Sequence, residues 1–181
     1  MKCSVYIGAS VDGYIAKSNG DIDWLLRPEY STAGLKGLTY EQFISTVDAI
    51  VLGRHSFEKI LSFSNWYYEG TPVVVLTSRE LTIPDHLSGK VRVMSGPPED
   101  IVSQLTSAGK RHLYIDGGVT IQRFLEARLI TEITITRIPI LLGSGIPLFG
   151  STGSEQTLRL IEATTSENGF VQERYEVRAF A

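Results

Sequence analysis

The chain has 181 residues, of which 43% are hydrophobic and 20% charged, with a net charge of -3. That balance fits one globular α/β-sized domain that needs no disulfide or metal staple, and it gives no electrostatic reason to bind nucleic acid, so a small-molecule ligand is the better expectation. The single cysteine, Cys3, rules out a disulfide framework, and no apolar run approaches the roughly 18 residues of a membrane span. With an N-terminus too short and too polar for a signal peptide, the expected setting is reducing and cytoplasmic, away from membranes.

Residues 3–9 form a short apolar run that reads as a central strand. The next stretch, 10–21, places turn formers around a small apolar island (Tyr14-Ile15-Ala16), which predicts a loop that folds back as a lid. Periodicity is weak from Trp24 to Gly37. Thr39 with Gln42 three residues on is a capping box, and Phe43, Ile44 and Val47 then share a helical face.

Residues 49–53, Ala-Ile-Val-Leu-Gly, predict a strand covered on both faces, and Arg54-His55-Ser56 leads into a helix expected from Ser56 to Leu61. Gly53 permits close approach to the backbone, the helix N-terminus offers unpaired N–H groups, and Arg54 adds a planar charge; together they form an anion grip. Trp66-Tyr67-Tyr68 lies in a loop suited to wall a pocket or a subunit contact. Strands follow at 73–76, ending in Thr77-Ser78-Arg79, and at 91–94. A helix after Pro97-Pro98 carries Ile101, Val102, Leu105 and Ala108 on one face and stops at Gly109.

A strand at 112–115 then meets Asp116-Gly117-Gly118 and a helix from Val119 to Ala127, a second strand-glycine-helix junction. Two such sites on neighbouring strand ends suit a diphosphate with an extra phosphate. The last third is patterned differently, with a β-branched strand at 132–138, a looser one at 157–165, and an alternating run from Val171 to Phe180 that follows the hairpin turn Asn168-Gly169. The expected architecture is therefore α/β, a mainly parallel central sheet flanked by helices that finishes in a C-terminal antiparallel hairpin, all in one domain.

These pieces, in this order, resemble the dihydrofolate reductase superfamily over nearly the whole chain. Gly53-Arg54-His55-Ser56-Phe57-Glu58 is similar to its Gly-Arg-x-Thr/Ser-aromatic-Glu motif, which grips the cofactor phosphates. Thr77-Ser78-Arg79 resembles the strand end that holds the adenosine 2'-phosphate of NADPH, and Ile115-Asp116-Gly117-Gly118 the glycine turn against the diphosphate. The resemblance implies NADPH as cofactor, bound by Gly53, Arg54, His55, Ser56, Thr77, Ser78, Arg79, Asp116, Gly117 and Gly118, and a homodimer.

Two branches compete. Residues 9–16 and 138–149 resemble the riboflavin-biosynthesis reductases, the C-terminal half of the bifunctional deaminase-reductase, whose substrate is a ribosylaminopyrimidine phosphate; Gly53-Arg54 departs from that branch toward dihydrofolate reductase. Glu29, five positions after Trp24, matches the folate branch's pterin-binding acid, and Thr136 the threonine that contacts it. Residues 69–72 lack the arginine that folate reductases use for the glutamate carboxylate, which favours the riboflavin-type reading. A non-catalytic NADPH-binding module is the third reading.

Hydride chemistry also needs a proton source. Glu29, in a pocket expected to include Trp24 and Tyr30, is the first candidate, and Asp12 in the lid the second; Trp24, Tyr30 and Thr136 are the expected substrate contacts. His55, His86 and His112 are too scattered to predict a metal site.

Overall fold

Apolar strands alternating with one-faced helices leave the chain a single economical solution, a parallel sheet with helices on both faces. The computed structural model describes residues 1–150, 153 and 155–178. Its strands are β1 (Lys2–Ser10), β2 (Tyr14–Ala16), β3 (Ala49–Gly53), β4 (Val73–Leu76), β5 (Val91–Met94), β6 (His112–Asp116), β7 (Glu132–Ile138), β8 (Ile146–Pro147), β9 (Leu158–Thr165) and β10 (Val171–Val177). Eight of them form one sheet in the order β5-β4-β3-β6-β1-β7-β10-β9, while β2 and β8 pair as a separate ribbon.

The six strands from β5 to β7 run parallel. β10 then lies antiparallel to both β7 and β9, with a register shift at Arg174/Tyr175. The turn of this hairpin is closed by Ser166 N donating to Phe170 O at 2.9 Å, with Gly169 at φ 83°. Ala179 and Phe180, at the end of the alternating run, lie outside the described residues.

Helices α1 (Tyr40–Ile44), α2 (Arg54–Leu61), α3 (Pro98–Ser107) and α4 (Gly118–Glu126) cover the sheet. Phe43 of α1 with Phe57 and Ile60 of α2 build the core on one face; Ile101 and Leu105 of α3 with Ile121 and Phe124 of α4 build it on the other. β3 runs between the two cores, its residues Ala49 to Leu52 no more than 1% exposed.

The elements depart from expectation in several places. α2 begins at Arg54, two residues earlier than expected, because extended Gly53 already serves as its cap. α1 stops at Ile44: the hydroxyls of Ser45 and Thr46 bond back to the carbonyls of Gln42 (2.8 Å) and Phe43 (2.7 Å), competing with further helix. The weakly periodic stretch becomes three 3-10 turns, Asp23–Leu26, Pro28–Tyr30 and Thr32–Gly34.

Candidate functional site

Two helices begin at the C-terminal ends of adjacent strands, α2 after β3 and α4 after β6. Their first turns abut. Gly117 has φ 86°, and a Cβ there would collide with Ser56 Oγ; a Cβ on Gly53 would come within 3.1 Å of Thr120 Oγ1. A side chain is excluded at Gly117 and crowded at Gly53, so the N-termini of two helices lie against one place with their backbones exposed, an arrangement that favours an anion. Arg54 stands at its margin: Nε donates to Glu58 Oε1 at 2.6 Å and an NH1 hydrogen goes to the Glu80 carbonyl at 3.1 Å. Those bonds set the guanidinium beside the loop that carries Thr77, Ser78 and Arg79. Arg54 also holds the Glu58 carboxyl below its ordinary pKa.

Thr77 shapes that loop, its hydroxyl accepting from Arg79 N at 3.1 Å, while Ser78 and the Arg79 side chain are exposed. His55 is exposed at the mouth, its Nδ1 3.6 Å from Glu58 Oε2. Of the ten expected cofactor residues, His55, Ser56, Asp116, Gly117 and Gly118 line one cleft of about 720 Å³. Arg54 and 77–79 stand beyond its lining at the α2 end, suited to an extra phosphate. The donor set therefore fits a phosphorylated dinucleotide: backbone N–H groups for a diphosphate, a guanidinium and hydroxyls for a further phosphate.

Beyond the helix ends the cleft runs over β1 and β7, where Tyr6, Tyr30, Thr136 and Phe170 line it. Thr136 accepts from Gln172 Nε2 at 3.2 Å; the same amide brackets Leu38, donating to its carbonyl (2.9 Å) while Oε1 accepts from its N–H (2.7 Å). The partner expected for Thr136, Glu29, is elsewhere. Glu29 is exposed, in a separate surface depression with Ser31, Lys36, Glu167 and Asn168. The 3-10 turn Pro28–Tyr30 explains this, because residues on such a turn point about 120° apart: Tyr30 turns inward to Phe170, 6.1 Å between ring centroids, and Glu29 turns out.

Trp24 is also displaced from its expected role. It is 1% exposed and packs with Ile138 and Phe170 beneath the cleft wall. Asp12, the second candidate acid, is a tie between loops. Its carboxylate accepts from Ser10 Oγ (2.6 Å), Gly143 N (2.7 Å) and Leu142 N (3.1 Å), bonds that lower its pKa with the Ser10 hydroxyl leading. The lid expectation holds in that residues 14–16 fold back, as the β2–β8 ribbon, with Ile15 and Ala16 lining the cleft.

A carboxyl that does face the cleft, at its buried strand end, is Asp116. Tyr68 Oη donates to its Oδ2 at 2.6 Å and Gly117 N to its Oδ1 at 2.8 Å. Burial raises its pKa above the ordinary carboxylate value, outweighing the hydrogen bonds from Tyr68 and Gly117 that lower it. Around it stand Tyr68 and Tyr114, whose hydroxyl pKa values burial pushes well up. Sequence reasoning placed Asp116 with the phosphate grip; its pairing with Tyr68, far away in the chain, needed the fold. Among the described residues no group of three or more His, Cys, Asp or Glu side chains is placed to hold a metal ion, and no helix is long and apolar enough to cross a membrane.

Comparison with known proteins matches residues 2–172 to the model of the RibD C-terminal domain. The chain belongs to that family. Its structure is similar to that of a Shewanella sp. PV-4 protein provisionally named for riboflavin biosynthesis, with TM-score 0.88 and 37% identity over 99% of this chain and 100% of that one. The Thermotoga maritima diaminohydroxyphosphoribosylaminopyrimidine deaminase/5-amino-6-(5-phosphoribosylamino)uracil reductase gives TM-score 0.69 at 13% identity over 98% of this chain and 56% of that one. Dihydrofolate reductase from Enterococcus faecalis, solved as a complex with NADP(H), gives 0.64 at 16% over 98% and 97%. The RibD C-terminal family thus carries, in this chain, a dihydrofolate reductase-like α/β fold with a mostly parallel sheet and an antiparallel C-terminal hairpin.

Proposed function

We propose that the protein is an NADPH-dependent reductase of the riboflavin-biosynthesis type, passing a hydride to a small heterocycle-linked acceptor. One observation carries the reading: the paired helix N-termini at Ser56 and Gly117 open onto the same cleft as the Asp116 carboxyl, which the Tyr68 hydroxyl holds in place. Bound NADPH supplies the hydride, which forms a C–H bond at an acceptor carbon doubly bonded to nitrogen or oxygen, while that heteroatom takes up one proton and the cofactor is left as NADP+.

The chain's residues bind, orient and protonate. Backbone N–H groups of the first turns of α2 and α4 hold the diphosphate, and Arg54 with Thr77, Ser78 and Arg79 meets the additional phosphate. The Asp116 carboxyl, which the Tyr68 hydroxyl orients, is the group placed to pass the proton. Ile15 and Ala16 on the ribbon and Phe170 opposite exclude water. The folate reading loses its main support, because Glu29 is outside the cleft and no arginine lines it among the described residues.

The test is acceptor-dependent NADPH oxidation by the purified protein, after NADPH binding has been measured by fluorescence. The ribosylaminopyrimidine of riboflavin synthesis, with and without its phosphate, is compared with dihydrofolate. Turnover of a pyrimidine is the expected result. NADPH bound with no acceptor consumed leaves the non-catalytic module, and no NADPH binding removes the reading altogether.

A further inference from the structure

The acceptor half of the cleft is walled by phenol rings and carboxyl groups. Tyr6, Tyr40, Tyr67, Tyr68 and Tyr114 all line it. Tyr67 lies 5.4 Å from Tyr40 and 5.3 Å from Tyr68 between centroids, a continuous aromatic wall. Two carboxylic groups share this half, Asp116 and Glu41 of α1. The hydroxyl of Tyr40 is buried with no hydrogen-bond partner, a donor left for the polar edge of a ligand.

Cations are few. Among the described lining residues Lys59 is the one Lys or Arg, and it is engaged: its Nζ lies 3.8 Å from Asp21 Oδ1 and 5.8 Å from the centroid of the Phe63 ring. Lys59 also sits one turn beyond Ser56 on α2, on the cofactor side. Arg54 is held by Glu58 and the Glu80 carbonyl, and Arg137 of β7 pairs with Glu173 at 3.2 Å.

We propose that the acceptor is a planar heterocycle bearing neither phosphate nor carboxylate, packed among these tyrosines, unlike the phosphoribosyl compound for which the Thermotoga reductase is named. The proposal rests on the reductase reading and narrows it. A phosphate brought into this half would give up hydration without gaining a cation and would stand near two carboxylic groups. A flat uncharged ring gives up little hydration and gains aromatic contacts on several sides. A phosphoribosyl or glutamyl tail therefore weakens binding here.

Calorimetric titration with two matched pairs tests this, run on the wild-type protein with and without NADP+. The pairs are 5-amino-6-(ribosylamino)uracil against its 5'-phosphate, and dihydropterin against dihydrofolate. In at least one pair the uncharged member is expected to bind about tenfold or more tightly than its charged partner. Equal or tighter binding of the charged member in both pairs overturns the proposal, as does failure of both uncharged members to bind. NADPH binding, read separately by fluorescence, distinguishes the two failures: cofactor bound with charged acceptors preferred sinks only this inference, whereas no cofactor binding sinks the reductase reading while the acceptor preference is still read from the cofactor-free titration.

Discussion

The Asp116 carboxyl sits where a proton is useful and a charge is costly. Its folded-state pKa lies above the ordinary 3.8, so its contribution to stability is full below that value and is lost as pH rises through the raised one. Asp116→Asn keeps an oxygen for the Tyr68 hydroxyl, gives up the acceptor of the Gly117 N–H, and removes the charge and any proton. We expect a higher melting temperature than wild type at pH 7 to 8, with turnover reduced by about 100-fold and NADPH affinity nearly unchanged. A lowered melting temperature, or an unchanged rate, would send the proton elsewhere. The contrast with Glu29 shows what the sequence withholds at this scale. Both acids stand near aromatic residues in the chain, and only the direction of a 3-10 turn and the distant Tyr68 decide which one faces the cleft.

Long, strongly patterned elements were legible because their periodicity is local: β3, β7, α3 and the capping box of α1 lie where the pattern puts them. The β2–β8 ribbon was not, because it joins strands of three and two residues across some 130 positions of chain, with too few residues for a period to declare itself. Beside its backbone bonds, that ribbon's loops are tied by the Asp12 side chain. Asp12→Ala removes the acceptor for Leu142 N and Gly143 N. The expected result is faster hydrogen exchange at those two amides and a KM raised several-fold, with little change in global stability. Unchanged exchange at both amides would mean that the β2–β8 pairing alone fixes the loop.

At the scale of the whole molecule, the order of strands follows from the order of crossovers, but the seams between them depend on buried polar contacts that no periodicity reports. His112, at the start of β6, is one. Its Nδ1 donates to the Thr46 carbonyl at 2.9 Å and its Nε2 accepts from Ser4 Oγ of β1 at 2.9 Å, and burial lowers its pKa below 6.5. Because the unfolded chain binds that proton more readily, stability is lost as pH falls from 6.5 toward the lowered value. His112→Gln should flatten that part of a melting-temperature profile; an unaltered slope would assign the acid sensitivity to other groups.

Cofactor binding acts on the same global equilibrium. A ligand that binds only the folded state at about 100 times its Kd adds about 2.7 kcal/mol, which for a domain of this size is a rise of roughly 5–10 °C. If the extra phosphate of NADPH is met by Arg54 and the 77–79 loop, NADPH should raise the melting temperature more than NADH at equal concentration, because only NADPH gains that charge-assisted contact. Arg54→Ala should then reduce the NADPH shift to about that of NADH while leaving the NADH shift in place, since the helix N-termini at Ser56 and Gly117 still hold the diphosphate. Scanning calorimetry of the two proteins with each cofactor reads all four shifts. Equal shifts for both cofactors on the wild-type chain would remove the extra-phosphate site, and loss of both shifts in Arg54→Ala would make Arg54 part of the common diphosphate grip.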